Sequence, residues 1–82
     1  MGLQEGFEMR PEQLYNTFGK YHPDIIASIR SFGALKGCNN AIKMRDEKGH
    51  LYIFQFEGPE KWSLYYGAAA VNFERSLRHD HS

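Results

Sequence analysis

The sequence predicts a single small α+β domain of order ααβββα: two N-terminal helices, a three-stranded antiparallel meander and a C-terminal helix. Three observations predict it. Apolar residues recur at helical spacing behind Pro11 and again behind Pro23. From Ala41 the apolar period shortens to two. After Gly67 it lengthens again, in an alanine-rich segment.

The opening stretch "MGLQEGFE" has two glycines and no period, so residues 1–9 are expected to be a flexible leader, with Met9 as a second possible start and Phe7 able to dock on the core. The domain proper is expected over 10–78, with 79–82 as a frayed tail. In "RPEQLYNTFGKY" Pro11 suits the first helical position and Glu12 the positive end of the helix dipole. Leu14, Tyr15 and Phe18 make one stripe, and Gly19 is expected to stop the helix. "HPDIIASIRSFG" repeats the pattern. Pro23 and Asp24 open a second helix, Ile25, Ile26, Ile29 and Phe32 share a face, and Gly33 closes it. The two are expected to form a helical hairpin or corner at "GKYH".

"ALKGCNN" reads as a connector. In the first strand Ile42 and Met44 point one way, Lys43 and Arg45 the other. "DEKG" is a hairpin turn with Gly49 at the left-handed position. The second strand runs from His50 to Glu57, with Tyr52, Phe54 and Phe56 on one face and Leu51 and Ile53 on the other. "GPEK" turns again, and Trp62, Leu64 and Tyr66 alternate with Ser63 and Tyr65. Ala70, Phe73 and Leu77 form the stripe of the last helix, with Arg75, Arg78 and His79 near its negative end.

The totals bound the function. Ten basic and ten acidic side chains cancel, which argues against a DNA binder driven by phosphate contacts, since those carry a basic excess. One cysteine, Cys38, excludes an internal disulfide and fits a reducing compartment. No apolar run approaches the ~20 residues that cross a bilayer, and no signal peptide is evident. The expected setting is therefore the cytoplasm, without a membrane partner.

No catalytic or cofactor motif accompanies this pattern. His22, His50, His79 and His81 do not gather with Cys38 at metal-ligand spacing. His22 reads as a helix-entry residue and His50 as a strand-edge residue. Cys38 lies on a connector without a neighbouring base. Glu57 and Glu60 flank a turn, and paired carboxylates need a cleft to drive their pKa values apart. The expectation is a protein with no enzyme activity, no cofactor and no metal.

The aromatic second half of the meander raises the functional question. A strand with apolar side chains on both faces needs cover on both, from a helix or from a partner. Aromatic residues and arginine are the usual interface anchors. The candidate binding set is Tyr52, Tyr65, Tyr66, Lys43 and Arg45, on an exposed side of the meander. The same residues suit base stacking and phosphate contact, so nucleic acid is the alternative ligand. A chain this small also gains core by pairing, which makes a two-fold homodimer an expectation.

Phe18, Tyr21, Pro23, Asp46, Gly49, Phe54, Phe56 and Trp62 carry a further likeness. An aromatic–Tyr–x–Pro helix start, a hairpin with a D-x-x-G turn and an aromatic second strand resemble small phage and mobile-element accessory proteins of gram-positive bacteria. The resemblance spans about Pro11 to Leu77 and leaves out the alanine-rich end. It implies an accessory role, inhibition of a host defence system by occluding a partner protein, and it supplies no catalytic residues.

Overall fold

The structure, a computed structural model, describes residues 9–79. Residues 1–8 of the expected leader and 80–82 of the expected tail, including His81, lie outside the described residues. The order is α1 (Pro11–Tyr21), α2 (Pro23–Ile26), β1 (Ile29–Ala34), β2 (Ala41–Asp46), β3 (Leu51–Gly58), β4 (Lys61–Tyr66) and α3 (Ala68–His79). The strands form one antiparallel sheet in the order β1-β2-β3-β4. The α+β class holds, with four strands where the sequence reading has three.

The extra strand comes from the second expected helix, which is one turn long. Ser28 ends it: its N–H and its hydroxyl both donate to the Ile25 carbonyl, at 2.9 and 2.8 Å. The chain then extends and pairs with β2, so that Ile42 and Met44 sit on an interior strand and are fully buried. Ile29 and Phe32 still share a face, because Arg30 is an extra residue in a bulge between Ile29 and Ser31. Phe32 stacks on Tyr15 of α1 with ring centroids 4.2 Å apart.

Gly19 does not stop α1, which continues to Tyr21 and ends at His22, before Pro23. The Gln13 side chain accepts from the Arg10 N–H at 2.9 Å and secures the start. Glycine at 19 has a packing role instead. A Cβ there would lie 2.6 Å from Cδ1 of Ile26, so α2 is folded closely against α1.

The sheet separates two cores. On one side α1 and α2 cover it, and Leu14, Phe18, Ile29, Ile42, Met44 and Phe54 are buried together. Met9 packs against this cluster, and its N–H donates to Asn40 Oδ1 at 2.9 Å. On the other side Leu35, Ala41, Leu51 and Ile53 meet Ala70 of α3, flanked by Tyr65, Phe73 and Leu77. The turn that carries the chain from β4 onto this face needs Gly67, whose φ is 63°. The helix α3 is therefore the cover that the second face of β3 requires.

Candidate functional site

The expected binding set is divided between the two faces. On the α3 face, Tyr65 is stacked on Phe73, with ring centroids 4.4 Å apart and planes 10° apart. Lys43 Nζ donates to Glu74 Oε2 at 2.7 Å. Arg45 donates to the Gly49 carbonyl at 2.8 Å. On the α1 face, Tyr52 and Tyr66 face each other across β3 and β4, with ring centroids 6.1 Å apart. The five residues therefore do not form one exposed face. Tyr52 and Tyr66 stay together, Lys43 and Arg45 belong to a different surface, and Tyr65 is half-buried between sheet and helix.

Tyr52 is also tied to the β2–β3 turn. Its hydroxyl donates to Asp46 Oδ2 at 3.1 Å, while Asp46 Oδ1 accepts the N–H groups of Lys48 and His50 at 2.9 Å each. The His50 ring lies 3.2 Å from Oδ2. Desolvation opposes the charge on Asp46, but these hydrogen bonds outweigh it and hold the carboxyl at about 2. Desolvation and the Asp46 carboxylate together raise the Tyr52 phenol above its usual value. Asp46 and Tyr52 thus fix the hairpin.

The surface around Tyr66 is the edge of the sheet. In the β3–β4 ladder the Gly67 N–H donates to the Leu51 carbonyl at 3.0 Å. Antiparallel strands alternate, so Tyr65 and Ser63 also direct their backbone groups toward β3. Trp62, Leu64 and Tyr66 direct theirs away from β3, to a side where no strand among the described residues pairs. The side chains of the same three residues lie on the α1 face, opposite Phe56, Phe54 and Tyr52. The helix α1 packs over β1, β2 and β3. Its last residue Tyr21 and the following His22 reach Trp62, with ring centroids at 5.3 and 5.2 Å. Beyond them the row is open: Trp62 is 37% exposed and Tyr66 66%. The sequence alternation marked Trp62 and Leu64 beside Tyr66. The meander order already put this strand at an edge, and the structure keeps it there.

The helix α3 is displaced the other way, over β3 and β4. It leaves a groove of ≈ 570 Å³ against β1 and β2, lined by Ala34, Leu35, Lys36, Lys43, Glu74, Leu77 and Arg78. The hydrogen bond from Lys43 lowers the Glu74 pKa against the opposing effect of desolvation, helped by the charges of Lys43, Arg78 and Arg45. Three cations thus act on one carboxylate, and Lys36 lines the same groove. The formal neutrality of the chain hid this local excess.

Among the described residues no three His, Cys, Asp or Glu side chains come together as a metal site. Burial and the charge of Glu57 raise the Cys38 pKa, which disfavours the thiolate a nucleophile needs. Glu57 pairs with Lys61 at 3.3 Å. His22 receives the Ile25 and Ile26 N–H groups on its carbonyl at 3.1 Å each, as a helix-entry residue does. No helix among the described residues is long and apolar enough to cross a membrane. No family model matches the chain, and neither a curated protein nor a solved structure matches it significantly.

Proposed function

We propose that this chain is a small non-enzymatic interaction protein that acts in the cytoplasm by occluding a partner protein, in the role of a phage or mobile-element inhibitor of a host defence system. The observation that carries the reading is the open β4 row, with Tyr66 66% exposed beside Trp62 on a strand whose outer backbone groups pair with no other strand among the described residues. An exposed aromatic row beside such backbone donors and acceptors offers both recognised ingredients of strand addition: main-chain bonds for affinity and side-chain contacts for specificity. The likeness to mobile-element accessory proteins supports the biological setting. Of the five residues favoured from sequence, Tyr52 and Tyr66 remain in this proposal, joined by Trp62 and Leu64.

A second reading rests on the basic groove. Lys36, Lys43, Arg45 and Arg78 suit a phosphate backbone, which makes nucleic acid the alternative partner. Affinity purification from a bacterial lysate, with and without nuclease, tests the two readings against each other. Under the first, a protein partner survives nuclease and is lost with Tyr66→Asp. Binding that nuclease abolishes, and that Lys36→Glu weakens while Tyr66→Asp does not, would replace it with the second.

A further inference from the structure

We infer that β4 pairs antiparallel with β4 of a second copy of this chain, with Leu64 on the two-fold axis, joining two sheets into one of eight strands. The inference rests on the reading of β4 as the binding edge and names its occupant.

The register follows from the backbone. A two-fold axis perpendicular to the sheet keeps both α1 faces on one side. It sets each residue of β4 opposite the residue equally far beyond the axis. With Leu64 on the axis, Trp62 lies opposite Tyr66 of the partner subunit, and Leu64 opposite the partner's Leu64. All three outward-directed residues then fall in closely spaced pairs that exchange both backbone bonds. Placing Ser63 on the axis sets Tyr66 against the partner's Glu60, in a turn. Placing Tyr65 there sets Trp62 against the partner's Ala68, in a helix. Only the Leu64 register uses every outward donor and acceptor of the strand.

Side chains and charges agree with it. From Trp62 to Tyr66 the edge carries no charge. The opposite edge differs: β1 has a bulge at Arg30, and Arg30 pairs with Glu47 at 3.1 Å. Bulges and charges are the usual protection of an edge against pairing, and β1 carries both. In the Leu64 register, Lys61 meets the partner's Gly67, so no like charges face each other. Glu60 comes opposite the partner's Ala68, at the positive end of an α3 whose first turn holds no acid. The flank of α3 away from Glu74 and Arg78 presents Ala69, Asn72 and Ser76, which are exposed and uncharged. The α1 side becomes one aromatic trough across the axis, with both copies contributing; in the dimer an occluded partner meets these rings, since the main-chain groups of β4 are taken by the second copy.

The open rings set the scale. At roughly 150–250 Å² per aromatic side chain, their exposed fractions add roughly 400 Å² over two copies. With the strand backbone this stays near the small end of specific interfaces, so the dimer is expected to dissociate in the micromolar range.

The test uses the full chain in sedimentation across a dilution series, with hydrogen exchange on the same samples. A Cys38→Ser background then receives Leu64→Cys or Ser63→Cys. The expected result is a mass that doubles as concentration rises, a bridged dimer for Leu64→Cys under mild oxidation, and none for Ser63→Cys. Paired Cα atoms at about 5.5 Å lie within the reach of a disulfide. Bridging through Ser63→Cys in place of Leu64→Cys would overturn the register. A monomer at all concentrations whose Trp62, Leu64 and Tyr66 amides exchange freely would overturn the dimer and leave β4 as an open binding edge. A monomer in which those amides are protected would overturn both.

Discussion

Phe54→Ala tests the placement of the larger core most directly. Phe54 is fully buried on β3, with its ring 5.2 Å from Phe18, 5.9 Å from Phe56 and 6.0 Å from Trp62. It links helix α1 to the row that ends at the open edge. Removing a buried ring costs about 3–5 kcal/mol, from lost transfer energy plus the cavity left behind. A chain of this length has a total stability of about 4–12 kcal/mol. At about 4–8 °C per kcal/mol, the midpoint should fall by about 12–40 °C, enough to leave part of the population unfolded at room temperature. Circular dichroism reads the global transition. The single tryptophan, Trp62, reports on the same cluster by fluorescence, and the two curves should coincide. A midpoint within about 2 °C of the parent would refute the placement of Phe54 at the centre of the core.

Two further predictions concern local geometry. Gly19→Ala gains about 0.5–1 kcal/mol of helix propensity but forces the end of Ile26 aside at about 0.5–1.5 kcal/mol, so its urea midpoint should stay near the parent's. Gly19→Leu should lose about 1–3 kcal/mol by overpacking, and a leucine variant as stable as the parent would show that α1 and α2 are not in close contact there. Asp46 has a folded pKa of about 2 against about 3.9 for an unfolded aspartate, so its stabilisation is fully present above about pH 5 and is lost as the pH falls toward 2. Asp46→Asn should flatten that acid limb of the stability profile, and an unchanged limb would remove Asp46 as its source.

The fold was legible wherever period and punctuation agreed. The stripe of Leu14 and Phe18, the two-faced strand from Leu51 to Phe56 and the Ala70–Phe73–Leu77 stripe all pack as their spacing implies. It was illegible at β1, for a specific reason. Ile29 and Phe32 are three apart, which on a regular strand would put them on opposite faces. The bulge at Arg30 returns them to the same face, so an irregular strand reproduces a helical interval. Gly19 misled in the same manner, because a glycine chosen for close packing looks the same in sequence as one that ends a helix. The candidate site was half legible. Alternation shows that Trp62, Leu64 and Tyr66 share a face, and the meander order puts their strand at an edge; neither shows how far α1 extends over that face. Tyr65 obeyed the same alternation and is half-buried against Phe73, since whether the second face is covered depends on where α3 docks.

That docking also accounts for the division of surface character. Four strands make a sheet wider than one helix can cover. Each face here has a single helical layer, and the two layers are displaced toward opposite edges. The helices α1 and α2 take the β1 side of one face, where Phe32 and Tyr15 stack. The helix α3 takes the β4 side of the other, where Tyr65 and Phe73 stack. Each face is therefore left open over the opposite edge. What stays open differs because the strands differ: β2 alternates Ile42 and Met44 with Lys43 and Arg45, so its uncovered face is basic. Strand β4 carries Trp62, Leu64 and Tyr66 on its uncovered face, so that one is aromatic. Docking α3 over β1 and β2 instead would bury Lys43 and Arg45 and expose Tyr65 and Ile53, which is the costlier arrangement for both pairs. The charge pattern of β2 thus directs α3 toward β4, and the open row above β4 on the other face follows from α1 covering Phe18, Met44 and Phe54 first.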